Sequence, residues 1–245
     1  MRVLKKIQHI SNAFYGYDRS DPFRNGEYKF LRSYLKENMI VFDVGANIGE
    51  YARYVFSIMP KVKIFCFEPV YNTYIKLVGN LAEEIQKKII ICNNLGLSND
   101  IKESEIIIYN EYDGRNSIHF NPLHKYNRNI LRKEKVKLYS LTKYVQENNI
   151  PKIDFLKIDV EGHEIKVIEG ALDLIKSKMI KCIQFEYNNN WKSAGFKIED
   201  LFGKLTNYQF KLYRLTIWGK ISVNHFNKKL ENYKHANYVA ILFDT

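Results

Sequence analysis

The groups in this sequence that could do chemistry begin with a glycine turn. Residues 39–42 form a short apolar run of strand type, followed by Asp43-Val44-Gly45-Ala46-Asn47-Ile48-Gly49 and a helix-like segment over 50–59. This is the pattern of a strand, a tight turn and a helix N-terminus. Glycines there supply unusual backbone angles and let a ligand lie against the main chain, while the free N–H groups favour a negatively charged group. The Gly-x-Asn-x-Gly spacing differs from Gly-x-Gly-x-x-Gly and counts against a dinucleotide. A second apolar run, 64–67, ends in Glu68, nineteen positions after Gly49, and Pro69 stops it. That is where a doubly wound fold places an acid that grips a ribose through its hydroxyls.

A second group of reactive side chains comes later. The apolar run 153–158 leads to Asp159, then Glu161, Gly162 and His163 at the start of a helix with Ile165, Ile168, Leu172 and Ile175 on one face. The strand-like run 179–187 also ends in an acid, Glu186, which would lie beside Asp159 across the sheet edge. These groups could take a proton from a hydroxyl, and a histidine has an ordinary pKa of about 6.5. The ranking is Asp159, then His163, Glu186 and Glu161. Each of the last two helix-start residues, Glu161 and His163, also has a purely structural use there. The same groups could hold a divalent cation, but their spacing does not demand one, and no metal is expected.

Together Asp43 to Gly49, Phe67-Glu68-Pro69 and Ile153-Asp154-Phe155-Leu156-Lys157-Ile158-Asp159-Val160-Glu161-Gly162-His163-Glu164 resemble, in the same order, the FkbM-type methyltransferases that use S-adenosylmethionine. The resemblance covers residues 25–190. It implies that Asp43, Gly45, Ala46, Asn47 and Gly49 hold the methionyl part of the cofactor, that Glu68 binds its ribose with Pro69 alongside, and that Leu97 lies against the adenine. Asp159 would stand near the methyl group. The implied fold is α/β: a class I methyltransferase, Rossmann-like and doubly wound, with a mostly parallel seven-stranded sheet, helices on both faces and a late antiparallel strand pair. The implied activity is O-methylation of a hydroxyl on a sugar of a glycan, polysaccharide or glycosylated product. RNA ribose methylation and cofactor binding without turnover are the alternatives. No Asn/Asp-Pro-Pro-Tyr or Pro-Cys sequence of the base methyltransferases is present.

The elements that must position these groups follow from periodicity. Residues 1–36 form an N-terminal extension and 37–245 the methyltransferase domain. Within the extension, 1–13 is basic and amphipathic and reads as a docking helix, with weak contact to a membrane surface as the alternative. Residues 14–26 are turn-rich and aromatic and could fold over the cofactor, and 27–36 reads as a helix. Glu27 and Tyr28 stand where the family's N-terminal helix approaches the cofactor, or at a solvated helix start. Further helices are expected over 70–84, 141–149 and 198–205, and strands over 88–92, 104–109, 135–139, 210–215 and 238–243. Between them, 93–100 lies at the C-terminal end of a strand, the edge where open α/β sheets place ligands, 110–131 is a lid facing the substrate or a disordered loop, 188–191 a polar loop forming a second wall of the acceptor pocket, and 217–235 an insertion at the rim.

Composition bounds the rest. A chain of 245 residues with 46% apolar content can bury one substantial core. The formal charge of +11 would suit an anionic partner, yet the lysines are spread along the chain and give no strong evidence for nucleic acid. Cys66, Cys92 and Cys182 lie singly in apolar runs, as buried thiols of a reducing compartment do. No apolar stretch approaches the ~20 residues of a spanning helix, and the N-terminus lacks a secretory core. A cytoplasmic protein is expected, and a homodimer is compatible with its composition.

Overall fold

The computed structural model describes residues 20–121 and 130–243. The basic segment 1–13, most of the turn-rich segment after it, and the lid positions His124, Tyr126 and Arg128 lie outside the described residues. The central sheet has strands β1 (Ile40–Val44), β2 (Lys63–Phe67), β3 (Ile90–Asn93), β7 (Phe155–Ile158), β8 (Cys182–Tyr187), β9 (Phe210–Thr216), β10 (Gly219–Val223) and β11 (Ala236–Leu242), in the order β10-β9-β11-β8-β7-β1-β2-β3. Strands β1, β2, β3, β7 and β8 run parallel; β11 pairs antiparallel with β8 and β9, and β10 with β9. The fold is the expected doubly wound one with one correction: the sheet has eight strands, not seven. The turn at Trp218-Gly219 lets β9 fold back on itself, so the supposed rim insertion opens with strand β10.

A second sheet of three strands, β4 (Gly96–Ser98), β6 (Arg132–Ser140) and β5 (Lys102–Ile108) in that order, stands beside the C-terminal edge of the first. The segment 93–100 at the end of β3 therefore contains a strand, in which Leu97 pairs in register with Tyr139. Helices α1 (Glu27–Tyr34), α2 (Glu50–Ile58) and α3 (Tyr71–Asn80) share one buried cluster with Val41, Ile64, Cys66, Phe155 and Cys182. On the opposite face Phe42, Phe67, Ile158 and Phe185 pack with residues of α5 (Leu141–Glu147), α6 (Glu164–Glu169), α7 (Leu172–Lys176) and α9 (Ile198–Thr206). Successive strand side chains point to opposite faces, so both faces being covered explains the near-continuous apolar runs.

Two expected long helices are interrupted. The first ends at Leu81, whose φ of −115° separates α3 from α4 (Ala82–Gln86) and sets its side chain beside Gly49. The second breaks between α6 and α7, where the Gly170 carbonyl accepts from Thr142 N at 2.9 Å and Thr142 Oγ1 at 2.8 Å instead of continuing the helix ladder. The expected polar loop after β8 is the short helix α8 (Asn189–Ser193). Its Trp191 is 1% exposed and donates to the Glu186 carbonyl at 3.0 Å, so the ring belongs to the core rather than to a pocket wall.

Candidate active site

Strand order reverses between β1 and β7. The chain winds outward through β2 and β3, then returns to lay β7 on the other side of β1, with Val44 beside Ile158. A crevice opens at such a switch point, outside the carboxyl ends of the strands. The two edges meet at Gly45, which has a φ of +80° and no room for a side chain: a Cβ there would lie 1.9 Å from the Asp159 carbonyl oxygen. Gly49 opens α2 with a φ of +90° and faces Leu77 and Leu81, so it packs that helix rather than lining the crevice.

The crevice is a cavity of about 330 Å³. Of the residues expected to hold a cofactor, Gly45, Ala46, Asn47, Glu68, Pro69, Leu97 and Asp159 line it. Glu68 is 6% exposed; its Oε2 accepts from Asn47 N at 3.1 Å and its Oε1 from Val70 N at 2.9 Å. Burial pushes its carboxyl up to about 7, against the pull of those two N–H groups. Each oxygen keeps an acceptor position, and Leu97, Ile106, Ile118 and Leu138 supply an apolar wall.

Asp43 lies outside that lining. It is fully buried on the α1–α2 face, where its Oδ1 is 3.4 Å from Lys157 Nζ. Lys157, 6% exposed, also reaches Asp159 Oδ2 at 3.3 Å and stands 4.6 Å from the centre of the Tyr51 ring. Burial alone would pull its pKa down, but the carboxylates of Asp43, Asp159 and Glu27 outweigh that and raise it. Burial raises the Asp43 pKa despite the ammonium beside it. Lys157 lines the cavity, a place that pattern reasoning passed over; its signal was a lysine flanked on both sides by a buried strand.

At the other end of the cavity stand Asp159, Glu161, Glu186 and His163. Asp159, Glu161 and Glu186 each bring one carboxylate oxygen within 4.8 Å of the others, a donor set that a divalent cation could use. Protein groups already answer much of this charge. Asn188 and Asn190 donate to Glu161, and Asn188 and His235 donate to Glu186. Burial, then Glu186 and Asp159, push the Glu161 pKa well above the ordinary carboxylate value. Burial would lower His235, but the Glu186 carboxylate beside it prevails and lifts it to about 9. Glu164 accepts from Val160 N and Gly162 N, both at 3.0 Å, and so braces the turn that presents Asp159 and Glu161.

His163 has both ring nitrogens engaged, Nε2 with Ser98 Oγ and Nδ1 with His119 Nε2, each at 2.9 Å. Burial, and then His119, Lys102 and Lys166, drive its pKa down to about 3. Ser98, beside Leu97, and His119, of the expected lid, thus hold the ring between them. His119 belongs to a segment that spans the cavity. Asn47 Nδ2 donates to the Tyr112 carbonyl at 3.4 Å, Ser117 Oγ to the Glu161 carbonyl at 2.7 Å and Asn121 Nδ2 to Asn190 Oδ1 at 2.5 Å. Residues 110–121 thus tie the glycine turn to the acid cluster.

Glu27, at the start of α1, also lines the cavity although it is only 8% exposed. Its carboxylate accepts from Asn25, Gln184 and Asn237. Burial pushes it up to about 7. The separations along the chain, 157 and 210 positions for the last two partners, hide this arrangement from any local pattern.

Comparison with known proteins identifies the family. The chain is 29% identical over 155 residues to a hexuronic acid methyltransferase, AglP, of Haloferax volcanii, a match covering 62% of this chain and 59% of that protein. It is 25% identical over 186 residues to the methyltransferase sdnD of Sordaria araneosa, covering 66% of this chain and 70% of that one. The crystal structure of a methyltransferase FkbM from Methylobacillus flagellatus KT superposes with a TM-score of 0.57 at 12% identity, over 92% of this chain and 49% of the other, a likeness of fold. Residues 43–212 match the family model described as the Methyltransferase FkbM domain, and the chain belongs to that family.

Proposed function

We propose that this chain transfers a methyl group from S-adenosylmethionine to a hydroxyl group of a sugar, in a glycan or a glycosylated product. The observation that carries the proposal is a single cavity at the switch point with the Gly45 turn and Glu68 on one side and a cluster of acids around Asp159 on the other. The residues fit the cofactor. Glu68 keeps two acceptor positions for a vicinal diol, the Gly45–Asn47 backbone receives the methionyl part, and Leu97 offers an apolar surface to the base. When bound, the cofactor supplies an electrophilic methyl carbon on a sulfonium. The protein's own work is to align the acceptor oxygen, to receive its proton and to exclude water. Asp159, Glu161 and Glu186 stand where they can orient or deprotonate a hydroxyl. His163 can do so only by releasing Ser98 or His119. Residues 110–121 act as the described part of a lid.

A sugar acceptor is supported by the name of the Haloferax relative. RNA as acceptor would call for a basic stripe beside Asp159, whereas its neighbours there are Glu161 and Glu186, and the one lysine among the described residues that reaches it, Lys157, is buried. The test is calorimetric titration of S-adenosylhomocysteine into the native protein and into Glu68→Ala. Native binding with a loss of about tenfold in the variant, about 1.4 kcal/mol, supports the proposal. Absence of binding to the native protein overturns it.

A further inference from the structure

A buried polar row crosses the sheet under the cavity. Asp43 of β1, Lys157 of β7 and Gln184 of β8 stand in register on three adjacent strands, on the face covered by α1 and α2. Glu27 joins this row from α1. Its Oε2 accepts from Gln184 Nε2 at 2.7 Å, and its Oε1 accepts from Asn25 Nδ2 at 2.5 Å and Asn237 Nδ2 at 3.0 Å. The three amide residues are 2%, 1% and 4% exposed for Asn25, Gln184 and Asn237, and they come from three separate segments. An ionised carboxylate has about four acceptor positions. Three are taken by fixed donors, and the one left is on Oε2 of a residue that lines the cavity. Of the acids at the sheet edge, Asp159 is held at Oδ2 by Lys157, and Glu161 and Glu186 accept from amides and His235, so none is fixed by as many donors as Glu27. Glu27, Asn25 and Asn237 all lie outside the matched residues 43–212, so the family match assigns them nothing.

We propose that Glu27 is the group that receives the acceptor's proton. The inference rests on the methyl-transfer reading above. In the step, the acceptor oxygen forms a bond to the methyl carbon as the carbon–sulfur bond breaks and its electron pair passes to sulfur. The hydroxyl proton moves to Oε2 of Glu27 and from there to solvent, leaving a neutral thioether and a methyl ether. Three fixed amides hold the carboxylate in place, so its orientation costs nothing at the moment of reaction. Burial sets its carboxyl at about 7, with Lys157 opposing and Asp159 and Glu186 reinforcing the shift, close to the working pH that suits a general base.

A rival ligand for the same open position is the cofactor's own ammonium group, and the experiment separates the two. Native protein, Glu27→Gln and Glu27→Asp are compared by calorimetry with S-adenosylhomocysteine. They are then compared by transfer of radiolabelled methyl from S-adenosylmethionine to the glycan fraction of the cells that make the protein. The expected result is S-adenosylhomocysteine affinity within about threefold of native for both variants. Transfer is expected to fall about 100-fold or more in Glu27→Gln. Retained transfer, or affinity lowered more than about tenfold, overturns the assignment, the latter by making Glu27 a cofactor ligand. Should Glu27→Gln not fold, Glu27→Asp decides: native-like binding with transfer reduced about tenfold supports the role, and native-like transfer refutes it. Native protein that does not bind S-adenosylhomocysteine, or binds it and transfers to nothing, overturns the methyl-transfer reading and this inference with it.

Discussion

Replacing Lys157 by methionine keeps an unbranched side chain, one heavy atom shorter, and removes the ammonium with its charge and its N–H donors. The ammonium is 3.4 Å from Asp43 Oδ1 and 3.3 Å from Asp159 Oδ2. Asp43 is wholly buried, and its Oδ2 has no hydrogen-bond partner. Without Lys157 its carboxylate would be left in the interior uncompensated, and breaking a buried pair from one side costs about 3–5 kcal/mol. At about 2–4 °C per kcal/mol for a chain of this size, Tm should fall by about 6–20 °C. The pH dependence has a definite sign. Burial raises the folded-state pKa of Asp43 above its ordinary 3.8, and loss of the ammonium raises it further. Between the unfolded and folded values the native state binds more protons than the unfolded one, so stability declines as pH rises through that window. The deficit of Lys157→Met relative to native should therefore be smallest in acid and grow toward neutrality. Urea unfolding at about pH 5 and about pH 8, with thermal scans at both, measures it. A deficit below about 1 kcal/mol, or one that does not change with pH, would refute the reasoning. Adding Asp43→Asn to Lys157→Met should recover much of the loss, because the orphaned charge is then gone as well.

Two further outcomes follow from the cavity. Burial holds the Glu68 carboxyl at about 7, and ribose hydroxyls donate to its ionised form, so S-adenosylhomocysteine affinity should fall about tenfold per pH unit below that value. In Glu68→Gln the slope should vanish; a slope that survives assigns the proton to another group. Gly45→Ala would place a Cβ against the Asp159 carbonyl at a φ of +80°. It should destabilise the fold by about 2 kcal/mol or more and abolish S-adenosylhomocysteine binding. An alanine variant with native Tm and native affinity would show that the two sheet edges can part without cost.

The parts of the site that could be read in advance are those where local signals coincide. At Gly45 and Glu68 an apolar strand stops, a special backbone residue or an acid follows, and a helix begins, all within a few positions. Asp159, Glu161 and Glu186 were legible because each sits at or just past the end of an apolar run. Lys157 was not, because its meaning comes from register, Asp43 beside Lys157 beside Gln184; the place of Glu27 near the cofactor was implied by the resemblance, but its partners Gln184 and Asn237, 157 and 210 positions away, were not. Trp191 was misplaced for a related reason. An aromatic after three asparagines looks like the edge of a pocket until its ring is seen between Phe185 and Tyr187. Asp43, central to the motif, supports the site through Lys157 instead of lining it, because its side chain lies on the covered face of the sheet. The breaks at Leu81 and Gly170 escaped notice because each serves a contact with a distant residue, Gly49 in one case and Thr142 in the other.

The added hairpin strand bears on how the polypeptide avoids its own kind. Strand β9 is seven residues long, mostly buried, and would offer a long unpaired margin if the sheet stopped there. Open margins of that sort recruit strands from other molecules. With β10 in place the margin becomes five residues of which the middle three face solvent, and Lys220 lies across Tyr213 at 4.5 Å and Phe30 at 6.0 Å. A short, lysine-bearing border is a poor template for intermolecular pairing. The hairpin thus acts as a selvedge, finishing the sheet on a border that offers little for another strand to pair with.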